Sequence, residues 1–186
     1  MLVFLDFEAS SLAKRSYPIE VAWVFEDGRS ESFLIHPAPD WTDWDPAAEA
    51  IHRIPRETLV AQGTPYDEVA HRMIEELTSH DLLASAPSWD GKWMSALLRA
   101  AGLPRHSLRL RDTDDAQRET ASAILAPLVP AGELEGLVSG LLARSEAVSR
   151  HIPAHRALAD AQVERARWIG VRSAAEELGR QLRANG

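Results

Sequence analysis

The chain opens on an apolar run, "LVFLDF", short and bounded by polar residues, which predicts a strand. "IEVAWVFED" follows with β-branched and aromatic content and ends in Asp27-Gly28, a hairpin signal, so "SESFLIH" is read as its partner. Three strands in a meander therefore come first. "PAPDWTDWDP" is a Pro/Asp-rich loop, after which Asp45 can cap a helix whose first position is Pro46. Gly63 is expected to end a second short helical piece, "PRETLVAQ". "TPYDEVAHRMIEELTSH" predicts a helix capped by Thr64, with Val69, Met73, Ile74 and Leu77 at helical spacing. "LLASA" reads as a short buried strand and "DGKWMSALLRAAG" as a helix stopped by Gly102. "SLRLRDT" alternates apolar and basic residues and predicts another strand. "DDAQRETASAILAPL", "ELEGLVSGLLARSEAV" and a long final stretch from Ala157 to Arg183 read as helices, the last as one helix or two.

Antiparallel strands followed by strand–helix alternation imply an α/β fold: a mixed sheet, three antiparallel strands and then parallel ones, with helices on both faces. No internal repeat or low-complexity linker divides the chain. Residues 1–186 are expected to form one domain, with the C-terminal helices packed on the sheet.

Composition narrows the function classes. No apolar run reaches the roughly 20 residues a membrane span requires, and Asp6 interrupts the first run before a signal-peptide core forms. With no cysteine there is no thiolate chemistry and no disulfide, and a cytoplasmic location fits. The net charge of −8 argues against a protein that coats nucleic acid by bulk electrostatics. The charge is uneven: residues 1–80 carry 6 Lys/Arg against 15 Asp/Glu, the rest 14 against 13. A phosphate-bearing partner would need bound cations in the acidic half.

That half contains an oddity. The first strand ends in Asp6-Phe7-Glu8. Residues two apart on a strand share a side, so the two acids project together while Phe7 points into packing. Paired carboxylates repel and raise each other's pKa, a cost that a divalent cation removes. The alternative is that the strand frays after Leu5 and both acids are solvated. Asp90, in "SAPSWDGKWMSALL", begins a helix after a strand, where a parallel crossover delivers residues to the same sheet edge. The same residue can equally be an ordinary N-cap. In "HIPAHRALADAQVERA", Asp160 falls in the first turn of the last helix between small Ala157 and Ala161, which let a helix approach the sheet. His155, on the loop before it, is free to face the same cleft; otherwise it packs or caps, and Asp160 faces solvent. His151 is a rival with no partner at the right spacing. Four carboxylates and one histidine suit a two-cation centre for phosphodiester hydrolysis, because magnesium prefers carboxylate and water to imidazole.

In order and spacing this set resembles the DnaQ-like, DEDDh-type 3′–5′ exonucleases of the ribonuclease H-like fold. The family's first motif, D-x-E, is similar to Asp6 and Glu8 in "DFEASSL". Its second, an Asp preceded by an aromatic, is similar to Trp89-Asp90. Its third, H-x-A-x-x-D, matches "HRALAD" at His155, Ala157 and Asp160. "HRIPRETL" resembles a family H-G-I element at His52 and Ile54, with Arg53 in place of Gly, and Asp112-Thr113 matches a family D-T. The likeness runs from residue 3 to about residue 170.

The resemblance implies the ribonuclease H-like sheet and a metal-dependent exonuclease acting on the 3′ end of single-stranded RNA or DNA. Asp6, Glu8, Asp90 and Asp160 would bind two Mg²⁺ or Mn²⁺ ions per active site, and His155 would be the general base. An imidazole with an ordinary pKa near 6.5 suits that task at neutral pH. The backbone around Ala9 and Ser10, with Leu12, and also His52 and Trp89, would hold the terminal nucleotide. The chain departs from the family at Ala9, Ser10 and Ser11, where Thr and Gly are usual, and at Ala86, where Asn is common. Two other readings stand beside this one: hydrolysis of short oligonucleotides or dinucleotides at the same site, and a non-catalytic ribonuclease H-like module contacting a partner through Trp41 and Trp44. Those two tryptophans can stack on bases, contact a partner or cover the floor of their own loop. Arg105, Arg109 and Arg111 can track a phosphate backbone or lie solvated on an edge strand.

Overall fold

The computed structural model describes residues 1–148 and 154–185. Three strands come first: β1 (Leu2–Ala9), β2 (Pro18–Phe25) and β3 (Ser30–His36). Two short helices, α1 (Pro46–His52) and α2 (Arg56–Gln62), lead to a two-residue strand β4 (Thr64–Pro65) and to α3 (Tyr66–Leu77). Strands and helices then alternate as β5 (Asp81–Ala84), α4 (Pro87–Ala100), β6 (Leu110–Asp112) and α5 (Thr113–Leu125). Helices α6 (Ala131–Val148) and α7 (Ala157–Asn185) follow.

The six strands lie in the order β4-β3-β2-β1-β5-β6. β1 pairs antiparallel with β2 and parallel with β5, so it stands where the sheet changes direction. The period-two alternation of β1 explains the layers. Val3, Leu5 and Phe7 pack on one face with Val69, Met73 and Leu77 of α3 and Met94 and Leu97 of α4. Phe4 packs on the other face with Ala116 of α5 and Trp168 of α7, the Phe4 and Trp168 rings 5.9 Å apart. Asp6 and Glu8 continue the Phe4 side, toward α7. α6 lies outside this layer on α5 and α7, through Val138, Leu141, Leu125, Val171 and Ala175. Every residue of β2 is buried, as a strand covered on both faces must be.

Local chemistry sets the connections. Gly28 takes φ 97° in the β2–β3 hairpin, and the Asp45 side chain accepts from the Ala47 N–H to cap α1, with Pro46 first in the helix. Gly63 ends α2 because a Cβ there would lie 2.4 Å from the Leu59 carbonyl oxygen and 2.5 Å from the His36 nitrogen.

Three expectations are corrected. Thr64 does not cap α3: it pairs with Ile35 in β4, and the helix begins after Pro65 with no side-chain cap bond. α4 starts at Pro87, so Asp90 lies inside the first turn and is not the cap; Pro at the first helical position nucleated the helix earlier than the acid implied. The strand expected over 107–113 shrinks to β6, an edge strand paired on one side only, and Asp112 caps α5 through a bond from the Asp114 N–H. The final stretch is one helix. Among the described residues no helix is long and apolar enough to cross a membrane.

Candidate active site

β1 does not fray after Leu5; its ladder with β2 continues through Glu8, which stands opposite Glu20, and Asp6 stands opposite Ala22. The two acids therefore project from a regular strand toward the start of α7. Ala157 and Ala161, both fully buried, let that helix close on the sheet. Asp160, between them, is carried to the acids of β1: Asp6, Glu8 and Asp160 each present a carboxylate oxygen, and these lie within 4.8 Å of one another. Asp90 reaches the same edge from α4. It is 2% exposed, and its Oδ2 has no hydrogen-bond partner among the described residues. A buried carboxylate oxygen without a partner is costly in the absence of a counter-charge.

The electrostatics are those of a crowded anionic pocket. Burial, and then the charges of Asp90, Glu8, Asp160 and Glu164, push the Asp6 carboxyl up to about 9. Burial and the charges of Asp160 and Glu20 push Glu8 up to about 8, with Arg156 opposing. Burial raises Asp90 to about 7 against hydrogen bonding from the backbone around Phe7 and Ala86. A set of oxygen donors that repel one another when ionised, one of them unsatisfied, fits a hard divalent cation such as magnesium or manganese.

His155 stands half-buried on the turn before α7, in left-handed backbone with φ 53°. The turn is pinned by Asp160, whose carboxylate accepts from the N–H groups of Ala154 (2.9 Å) and Arg156 (3.3 Å), the two neighbours of His155. A second carboxylate holds it from the sheet. Glu20, 2% exposed, accepts from Arg156 Nε and Nη2 and from the Ala157 N–H. Neither Glu20 nor Arg156 was singled out from the sequence. The signal was a lone acid in the apolar run "PIEVAWVF". Glu164, one turn beyond Asp160 on α7, was also missed. His151 lies outside the described residues.

The residues expected around the terminal nucleotide divide. Leu12 is 69% exposed and Trp89 39% exposed, with Lys92 over the Trp89 ring and Trp93 beside it. Ala9 is buried at the end of β1. Ser10 is fully buried and its polar groups are used inside the loop: its N–H donates to the Tyr17 carbonyl, its carbonyl accepts from the Asp45 N–H, and its hydroxyl donates to Asp43 and accepts from the Tyr17 N–H. Ser10 thus shapes the loop through these bonds. His52 is 3% exposed; its Nδ1 accepts from the Ile54 N–H and its buried Nε2 has no hydrogen-bond partner among the described residues. Burial holds its pKa below the ordinary value. Trp41 stacks on Tyr17 and lies against Tyr66, while Trp44 packs edge-on to His52 and donates to Glu49, so both cover their own loop. Arg111 is paired with Asp81 and Glu119.

No family model matches this chain, and no curated protein does. Solved structures do. E. coli exonuclease I in complex with a dA16 oligonucleotide superposes with a TM-score of 0.65 at 20% identity, over 95% of this chain and 42% of that one. A moderately thermophilic exonuclease I from Methylocaldum szegediense gives 0.64 at 20% identity, over 90% of this chain and 40% of that one. The zinc-ion-bound form of the E. coli enzyme with single-stranded DNA gives 0.62 at 21% identity, over 89% and 38%. The chain shares its fold with exonuclease I. The mixed sheet expected from the sequence is therefore the ribonuclease H-like one, and the chain spans about two fifths of the length of the exonuclease I structures it matches.

Proposed function

We propose that this chain is a divalent-cation-dependent 3′–5′ exonuclease acting on the 3′ end of single-stranded nucleic acid. The observation that carries the reading is the convergence of Asp6, Glu8 and Asp160, with the unsatisfied oxygen of Asp90 beside them. The fold shared with an exonuclease I crystallised on single-stranded oligonucleotides supports it.

In this reading Asp6, Glu8, Asp90 and Asp160 would hold two Mg²⁺ or Mn²⁺ ions. When bound, the cations supply Lewis-acid activation of water and neutralise charge on the scissile phosphodiester. His155 would accept the proton of the attacking water, and the turn that carries it is fixed from two sides. In this reading Leu12 and Trp89, both exposed, would offer apolar and aromatic surface on which a terminal base stacks, and Ala9 and His52, both buried, would back it. The raised pKa values of the acids fall once cations compensate their charge, so the site ionises as it loads.

The strongly acidic first 80 residues favour a second version, in which the same site takes short oligonucleotides or dinucleotides that need no long basic track. One experiment addresses both: RNA and DNA oligonucleotides of graded length, labelled at the 5′ end, incubated with magnesium or manganese. A ladder shortening from the 3′ end is expected, and efficiency rising toward the shortest substrates selects the second version. No hydrolysis of any substrate with either cation overturns the enzyme reading and leaves a binding module.

A further inference from the structure

Glu20 is the feature that the acidic cluster leaves unexplained. A glutamate in the middle of a wholly buried strand gives up its hydration, and it does so here on the same sheet face as Asp6 and Glu8, directly opposite Glu8. Adding a charge beside two acids that already repel is unfavourable, and Glu20 is among the groups that push the Glu8 carboxyl up. Its bonds show what offsets that cost. All three of its donors belong to one short stretch: Arg156 Nη2 at 2.7 Å, Arg156 Nε at 3.1 and 3.2 Å, and the N–H of Ala157, the first residue of α7, at 3.0 Å. A fork-shaped guanidinium bond fixes direction as well as distance, and an anion at a helix N-terminus meets the positive end of its dipole. Arg156 sits immediately after His155 and its side chain is half exposed, so the cation is drawn down from solvent onto the sheet.

Among the described residues the carboxylate of Asp160 also holds this turn, through Ala154 and Arg156. Under the reading above, Asp160 must also serve a cation, so its oxygens are divided between two duties. We infer that Glu20 is a positioning residue: through Arg156 and Ala157 it locks the start of α7 to the sheet, and so sets where His155 stands relative to Asp6 and Glu8. The inference rests on the proposed nuclease site for its effect on catalysis, but the mechanical lock itself does not depend on it.

The test is Glu20→Gln in the full chain, measured three ways. Hydrogen–deuterium exchange of the backbone over 154–160 should quicken by about tenfold or more while the sheet core is unchanged. The kcat for a 5′-labelled oligonucleotide should fall about 10- to 100-fold with KM and manganese uptake retained. In a His155→Ala background the same substitution should cost kcat little further, because the group it positions is gone. Exchange over 154–160 that stays at the wild-type rate overturns the lock. A kcat loss just as large without His155 overturns the positioning role. If the wild-type protein hydrolyses nothing, the nuclease reading fails by itself and the exchange measurement still decides the lock. Should Glu20→Gln not fold, Arg156→Lys replaces it: the charge stays, the fork is lost, and the half-exposed position tolerates the change, with the same pattern expected at smaller amplitude.

Discussion

Asp6, on the central strand at the start of the chain, and Asp160, on the helix that ends it, bring carboxylate oxygens within 4.8 Å of each other. The pair is crowded by Glu8 and Asp90, and Asp6 is pushed up to about 9 chiefly by burial. Asp6→Asn and Asp160→Asn should each lower hydrolysis about a hundredfold or more while the far-UV circular dichroism stays that of the wild type. In chelator, Asp6→Asn should also melt above the wild type at neutral and alkaline pH, by most at about pH 9, and close to it only below about pH 4, where the acid is protonated whether folded or unfolded. Either variant retaining full activity removes its residue from the site.

The same crowding predicts an unusual pH dependence of stability. Asp6, Glu8 and Asp90 are held near 9, 8 and 7, and in the unfolded chain they return to ordinary values of 3.8, 4.5 and 3.8. Across that window the folded protein holds more protons than the unfolded one. The stability these groups allow is therefore complete below about pH 4 and is lost as pH rises through 7 to 9. Scanning calorimetry in EDTA should show the melting temperature falling between about pH 6 and pH 9. Magnesium or manganese should raise it, and by more at the alkaline end, because a cation binds the ionised acids. A cation effect that is flat with pH contradicts the assignment of these acids as ligands.

His155 is placed by its neighbours. Replacing it with Ala leaves the bonds of Ala154 and Arg156 to Asp160 intact. Activity should fall about 10²- to 10⁴-fold, the range for loss of a general base, with manganese uptake unchanged. An equal loss of uptake would make His155 a ligand.

Arg53 offers a stability check remote from the acids. It ends α1 in left-handed backbone, φ 58°, at the position where the resembling family has Gly. A side chain there carries strain that glycine avoids. Arg53→Gly should stabilise the protein by about 1 kcal/mol in urea denaturation, and a loss of stability would show that the arginine makes compensating contacts.

Much of this was readable in the sequence. The period-two pattern of "LVFLDFEA" placed Asp6 and Glu8 on one side of a strand, and the small residues around Asp160 marked the close approach of α7. What failed was local: Thr64 looked like a cap because the two-residue strand it joins has no pattern of its own, and Asp90 looked like a cap because it follows a strand. Glu20 was invisible for a different reason. Its partners, Arg156 and Ala157, lie at the other end of the chain, and no spacing rule links them. The bonds of Ser10 to Tyr17, Asp43 and Asp45 were equally hidden, because those contacts exist only once the loop closes.

Manganese titration by isothermal calorimetry, on the wild type and on Asp6→Asn and Asp160→Asn, tests most directly whether acids from three separate elements make one cation centre. Saturable uptake at two ions per chain by the wild type, lost or sharply weakened in both variants, is the predicted result. A wild type that takes up no manganese, or variants that bind it as the wild type does, would contradict the account.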